Sequence, residues 1–392
     1  MHKEIIQKLN PPSTIGIVGG GQLGRMLVLA AKEMGYNAII LDPMPNSPAS
    51  QVADEQIIAE YGDLSALKDL AQRTEVLTYE FEHIDVELLS LLEKSGHKIY
   101  PSSKTLRLIQ NKFVQKNMLL DIGVKVADFR RIDSLEKLID VYCEFDQKLI
   151  LKTCTGGYDG KGNMVINDSS NIEDVFKQFE NLEIMAEKLV DFTKEVSVII
   201  ARNHEGTVFY PVAENIHKNS ILINSKVPAA VSIEIQNKIY EICKKIVEEL
   251  DDYGIFCIEF FIDKQSNVLV NEIAPRPHNS GHYSIEGCIT SQFEQLIRII
   301  TGMPLGSAKL RLPCVMYNIL GNEYNSGKYH INGIDSLLGI EDCHFHLYGK
   351  AESKHLKKIG HITVLDESID RADEKAMNAL SMLSVDSINN DK

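Results

Sequence analysis

Three groups of residues have types and spacings that can do chemistry. Residues 155–163 read TGGYDGKGN, a glycine-rich loop entered from an apolar run that ends at Lys152. Glycines let such a loop fold over a polyphosphate and offer backbone N–H groups, while Lys152 and Lys161 add positive charge. A P-loop would open a helix, whereas this loop joins two strand-like runs. Glu259 lies in CIEFF and Glu272 in VNEIAP, two apolar runs joined by a polar turn near 265–267. An antiparallel hairpin can set both carboxylates on one face. Two close carboxylates repel unless a cation lies between them, and hard oxygen ligands beside a polyphosphate point to Mg²⁺. Arg276, His278, Asn279 and His282 follow in APRPHNSGH. Pro275, Pro277 and Gly281 count against a helix there, so the histidines read as part of a polar loop and not as a zinc pair.

A smaller glycine pattern lies near the start, in IGIVGGGQLGRM, where Gly19, Gly21 and Gly24 spell G-x-G-x-x-G. Asp42 closes NAIILD about where a ribose-binding acid belongs in a dinucleotide fold. The same turn can bind a single phosphate, or serve only close strand–helix packing. The proline-rich PMPNSPASQVAD after Asp42 and the larger second loop count against a dinucleotide. The residues alone leave the first turn open between a pyrophosphate, a single phosphate and plain packing. His344 and His346 alternate along a strand-like run and read as surface residues.

The elements that must position these groups follow from periodicity. The first hundred residues alternate strand and helix patterns, the signature of a doubly wound parallel sheet. A helical region follows Pro101. From Val124 onward, strands surround the glycine loop, and LEIMAEKLVDFTKEVSVIIARN reads as a return to strand. Ile235, Ile239, Ile242, Ile246 and Leu250 form a helical stripe. After about Gly306 come short strands and turns, a polar helix, and the tail SVDSINNDK, which reads as frayed.

At 392 residues the chain allows two or three domains. A net charge of −14 argues against a nucleic-acid surface, though not against small phosphorylated ligands. No apolar run approaches membrane-spanning length, and no signal-peptide core opens the sequence. The seven cysteines include no C-x-x-C pair and read as reduced thiols of a cytoplasmic protein.

Taken together, Lys152, GGYDGKGN, EKLVDFTKEVSVI and Glu259/Glu272 resemble an ATP-grasp enzyme. IGIVGGGQLGRM, TYEFE, PVAENIHKNSIL, NEIAPRPHNSGHYSIEGCITSQFEQ and KKIGHIT narrow the resemblance to the ATP-dependent 5-(carboxyamino)imidazole ribonucleotide synthases of purine biosynthesis, across nearly the whole chain. The resemblance implies an α/β and α+β architecture. A Rossmann-like substrate-binding domain spans 1–110. An ATP-grasp domain spans 111–305, with a lid at about 125–190, and a small β-rich domain spans 306–392. It implies carboxylation of 5-aminoimidazole ribonucleotide with ATP and bicarbonate, with Mg²⁺ and a homodimer.

By this resemblance, ATP falls to Arg107, Lys152, Gly157, Tyr158, Asp159, Gly160, Lys161, Gly162, Asn163, Glu187, Lys188, Leu189, Val190, Glu195, His217, Asn271 and Glu272. Glu187–Val190 would flank adenine, Glu195 would accept from ribose hydroxyls, and Glu259 and Glu272 would hold Mg²⁺. Gly20, Gly21, Gln22, Leu23, Glu80 and Tyr158 would face the ribonucleotide, with Lys350, Lys357 and Lys358 at its phosphate. Lys152 and Arg276 are the catalytic candidates. Where family members often carry arginines before the K-x-G-H pattern, this chain has KAESKHLKKIGHIT; lysine keeps the charge but lacks the bidentate fork. The rival readings are a formate-dependent ribonucleotide transformylase, a biotin carboxylase, an NAD-dependent dehydrogenase and a non-catalytic nucleotide-binding module.

Overall fold

The computed structural model describes residues 6–157, 162–167, 171–322 and 326–388. The N-terminal unit is a parallel sheet with Thr14–Val18 between Asn37–Leu41 and Val76–Tyr79, and Glu55–Ile57 at one edge. Ile15, Ile17, Ile40 and Leu41 are fully buried because helices cover both faces. Helices Leu64–Gln72 and Val86–Lys94 begin at Asp63 and Asp85, whose carboxylates accept from the first free N–H groups. The last strand-like run of the first hundred residues, HKIYPS, forms only one bridge, Leu77 with Ile99. The helical region after Pro101 is two helices, Ser103–Gln110 and Lys112–Asp121, broken at Asn111, which caps the second.

A lid follows. Its antiparallel sheet runs Phe129–Ile132, Ile184–Lys188, Leu149–Thr153, Asn163–Ile166, covered by helices Leu135–Glu144 and Ile172–Gln178. Its small core holds Leu138, Val141, Phe145, Leu149 and Leu151.

The central antiparallel sheet has Gly254–Asp263 between Val268–Ala274 and Phe192–Arg202, then Ala213–Lys218, Ile221–Val227, Cys314–Leu320, Lys358–Leu365 and Cys343–Leu347. Residues alternate across it: Val196, Val198 and Ile200 pack with Ile239, Cys243 and Ile246 of helix Ile233–Leu250. Ile199 and Ala201 face Leu296 and Ile300 of helix Gln292–Ile300, in a core shared with Met26 and Leu27 of the first helix. That shared core joins the N-terminal unit to the sheet.

Three sequence expectations change here. The run LEIMAEKLVDFTKEVSVII is not one strand: Ile184–Lys188 belongs to the lid and Phe192–Arg202 to the central sheet. Both halves are apolar, so the pattern cannot show where the sheet partner changes. The start of the tail is also more ordered than expected, since Ser384–Ser387 pairs with Tyr329–Asn332, while 389–392 lie outside the described residues. The segment 306–392 is not separate from the ATP-grasp sheet either. Cys314–Tyr317 pairs in register with Val227–Asn224, a long-range match that sequence periodicity does not encode. Helix Ile369–Ser381 covers this end through Ala372, Ala376 and Ala379. All seven cysteines are free, and only Cys143 is exposed. Among the described residues, no helix is long and apolar enough to cross a membrane.

Candidate active site

A cavity of about 590 Å³ opens between the N-terminal unit, the lid and the central sheet. Its floor is the hairpin. Glu259 and Glu272 are direct cross-strand partners, just before a register shift at Glu259/Phe260, so the two carboxylates share a face as the spacing predicts. Asn271 Nδ2 donates to Glu259 Oε2 at 3.4 Å, and His278 Nε2 lies 3.6 Å from Glu259 Oε1. Burial pushes the Glu259 carboxyl above the ordinary range, and the neighbouring charge of Glu272 adds to it against a counter-effect from His217. Glu272 is met by the Lys112 ammonium. The pair thus lies where added positive charge lowers the energy.

The lid side carries a different carboxylate. Glu187 is buried between Lys116 Nζ at 3.0 Å and Lys152 Nζ at 3.2 Å. Burial alone would raise it, but the two ammoniums outweigh burial and hold it below the usual range. Lys152 therefore reaches the cavity already anchored. Glu187 is paired on both sides in the lid ladder, with Phe129 and Ile150, whereas Leu189 and Val190 lie beyond its last paired residue. Leu189 and Val190 line the cavity with Ile150, Phe260, and the stacked rings of Phe192 and Phe261, 4.8 Å apart. This apolar end suits a flat base. Glu195 and His217 line the same cavity and contact each other through Nδ1 and Oε2. Burial would lower the His217 pKa, but Glu195 raises it overall.

Of the glycine loop, Gly157 and Asn163 line the cavity. Gly162 accepts from Thr153 N–H at 2.9 Å, with a φ of +77°. The expected contacts of Tyr158, Asp159, Gly160 and Lys161 lie outside the described residues.

The first glycine turn corrects the sequence reading. Its N–H groups are already occupied: Gly20 donates to Asp42 Oδ2 at 2.7 Å, Gly21 to Glu80 Oε1, and Gly24 to Glu80 Oε2 at 2.5 Å. The anion in this nest is the protein's own Glu80, not a substrate phosphate. A Cβ at Gly19 would sit 2.4 Å from the Glu80 side chain, and the φ of +110° there also requires glycine. Asp42 is spent as well, accepting from Met44 N–H at 2.8 Å and Tyr61 O–H at 2.6 Å, so it is not a ribose ligand. Gly21, Gln22, Leu23 and Glu80 still form one wall of the cavity; Gly20 stays behind it. Burial raises the Glu80 carboxyl, and its two N–H bonds pull against that.

Other assignments separate in space. Arg107 projects outward on its helix and pairs with Glu87, both well exposed, and it does not line the cavity. Lys112, five residues later and past the break at Asn111, does. Sequence reading missed Lys112 because the helix break resets the facing phase. It also missed Glu82, which grips Arg276 through Nε and, at 3.1 Å, through Nη2. This pairing, against burial, holds Glu82 down to about 2. The Arg276 guanidinium is thus a strut between the N-terminal unit and the cavity wall. Of the three C-terminal lysines, Lys358 lines the cavity. Lys350 donates to Lys358 O at 2.7 Å and acts on the Glu80 charge, while Lys357 turns away to Glu352 O at 2.8 Å. His346 is not a plain surface residue: it stacks on buried His361 at 4.5 Å and bonds Glu286 at 2.6 Å.

Comparison with known proteins gives the same outline. The ribonucleotide synthetase preATP-grasp domain matches residues 13–110, the ATP-grasp domain 117–293, and the phosphoribosylaminoimidazole carboxylase C-terminal domain 314–375. The N5-carboxyaminoimidazole ribonucleotide synthase of Bacillus subtilis is 41% identical over 96% of this chain and 98% of its own. The crystal structure of the synthetase from Thermotoga maritima is 44% identical, with a TM-score of 0.87 over 96% of this chain and 100% of that one. The Aspergillus clavatus enzyme, solved with ADP and 5-aminoimidazole ribonucleotide, is 32% identical, with a TM-score of 0.85 over 94% and 98%.

Proposed function

Since the chain belongs to the N5-carboxyaminoimidazole ribonucleotide synthase family, we propose that its cavity carries out that family's reaction with the residues placed above. ATP, bicarbonate and 5-aminoimidazole ribonucleotide give the N5-carboxyamino product, ADP and phosphate. The observation that carries this reading is the single cavity in which the hairpin carboxylates, Lys152, the apolar base-sized end and the Glu80 wall all meet.

In the first step a bicarbonate oxygen attacks the γ-phosphorus of ATP as the bond to the ADP oxygen breaks, giving carboxyphosphate. In the second, the exocyclic amine of the ribonucleotide takes the carboxyl carbon, phosphate leaves, and the amine loses a proton. The chain's task is positioning and charge stabilisation. Leu189, Val190, Phe192 and Phe261 hold the base, and Glu195 faces the ribose hydroxyls. Lys152, fixed by Glu187, meets phosphate oxygens. Arg276, fixed by Glu82, gives positive charge where carboxyphosphate forms. Glu80 presents a carboxylate to the ribonucleotide, and Lys358 faces its phosphate with Lys350 nearby.

Glu259 and Glu272 suit Mg²⁺: the partly buried Glu259 is raised by desolvation and by its partner, and a lysine already sits on Glu272. Among the described residues no third acidic, cysteine or histidine ligand joins them, so water and phosphate oxygens would complete the shell. When bound, Mg²⁺ neutralises charge on the phosphates. On this reading the enzyme acts in the cytoplasm as a homodimer, which light scattering at assay concentration tests.

The deciding assay is ADP release with Mg²⁺ and ATP, adding the ribonucleotide and bicarbonate separately and together. Release that needs the ribonucleotide, with carboxyamino product only when bicarbonate is present, supports the reading. Release driven by formate or another amine moves the substrate.

A further inference from the structure

One buried polar chain takes no part in the proposed reaction. It runs across three strands of the central sheet and ends at the cavity. Ser225 O–H donates to Asn215 Oδ1 at 2.8 Å, and Asn215 Nδ2 donates to Ser197 Oγ at 2.9 Å. Ser197 O–H donates to Ser280 Oγ at 2.8 Å, and Ser280 Oγ lies 2.9 Å from His278 Nδ1. All four of these polar residues are 5% exposed or less.

The proton count follows from the orientation of the Asn215 amide. With Nδ2 toward Ser197, Ser197 Oγ accepts there and gives its one hydrogen to Ser280; with the amide turned over, the chain would reverse and put a proton on His278 Nδ1. The one hydrogen of Ser280 then has His278 Nδ1 as its acceptor; the other neighbour of Ser280 Oγ is the Cys257 thiol at 3.8 Å. The backbone imposes the same sense independently. Ser280 N–H points at His278 Nδ1 from 3.3 Å, and an N–H has only a hydrogen to give. The His278 backbone is held too, because Gln292 accepts from its N–H at 2.9 Å and donates to its carbonyl at 2.7 Å. The ring is therefore fixed in place, and Nδ1 carries no proton.

We propose that Ser280, backed by Ser197, Asn215 and Ser225, is a positioning residue that keeps His278 as the Nε2–H tautomer and aims that hydrogen into the cavity beside Glu259. Nε2 lies 3.6 Å from Glu259 Oε1, and His278 lines the cavity. A histidine protonated at Nδ1 instead would offer a lone pair there, and a lone pair faces carboxylate and substrate oxygens unfavourably. The consequence for turnover rests on the proposed reaction; the tautomer does not.

Both are read in the full-length protein. Histidine side-chain ¹⁵N spectra at neutral pH, assigned by difference from H278N, report which ring nitrogen is protonated without any ligand. The wild type is expected to show Nε2–H and bare Nδ1. S280A is expected to mix the tautomers and to lower kcat about tenfold, equivalent to about 1.4 kcal/mol, with the KM for ATP changed less than about twofold. S197A, one bond further back, should shift both readouts in the same direction by less. A wild-type ring carrying its proton on Nδ1 or on both nitrogens overturns the proposal. So does an S280A protein whose kcat falls while the tautomer stays, or whose tautomer mixes while kcat holds. If S280A does not fold, S197A decides by the same two readouts. Wild-type protein without ADP release would sink the functional reading and leave the tautomer still measurable.

Discussion

Glu187 and Glu259 are both carboxylates on one cavity, the first buried and the second partly buried, yet they are built in opposite ways. Glu187 sits between two ammoniums and is held below its ordinary range. Glu259 faces another glutamate, with Glu195 beyond, and is held above it. The first site is complete by itself, fixes Lys152 and ties Lys116 of the helix Lys112–Asp121 to the lid. The second is short of positive charge and becomes favourable when a cation arrives. A buried charge that is already neutralised serves structure; one that is not serves binding.

Removing one carboxylate at each site should separate these roles. Glu272→Gln is expected to cut ATP turnover by about a thousandfold or more, roughly the loss of a preorganised charge at a phosphoryl centre, while the melting temperature stays near wild type. Turnover within tenfold of wild type in ADP-release assays would break the metal assignment. Glu187→Gln should do the reverse first: it strands Lys116 and Lys152 and should cost about 3–5 kcal/mol of stability in urea unfolding. An unchanged midpoint would mean the lid tolerates two unpaired ammoniums.

The pH dependence should differ in sign. Glu187 is lowered from 4.5, so its stabilisation is present above 4.5 and is lost as pH falls through its folded value. Glu259 is raised from 4.5, so stability drops as pH rises from 4.5 through its folded value. Urea midpoints against pH for E187Q and E259Q, each compared with wild type, should therefore diverge in opposite directions. Parallel curves would erase the contrast.

The smallest effect concerns two cations on consecutive helices, Lys112 in the cavity and Arg107 outside it. Lys112→Ala should raise the KM for ATP about tenfold by removing the charge on Glu272. Arg107→Ala, which loses only an exposed pair with Glu87, should change it less than about twofold. The opposite ranking would restore Arg107 to the nucleotide site.

Much of this was legible in the sequence. The hairpin carboxylates were, because strand period and a polar turn fix which residues oppose each other locally. Lys152 was, because it ends an apolar run directly before the glycine loop. The occupant of the first glycine turn was not. A G-x-G-x-x-G pattern shows that N–H groups converge, but Glu80 comes from another strand to take them. Arg107 and Lys112 could not be ranked either, since the break at Asn111 changes which face the next helix presents.

The sequence by itself determined the domain order, the two glycine turns, the hairpin and the family resemblance, since each rests on short-range spacing or on continuous motifs. Only the tertiary structure decided which charges are spent and which remain to meet a ligand. Lys116, Lys152 and Glu187 come from a helix and two lid strands, and Glu82 reaches Arg276 from the other end of the chain. Electrostatic energy depends on distance in space and on burial. Spacing along a chain fixes neither once the partners lie on different elements.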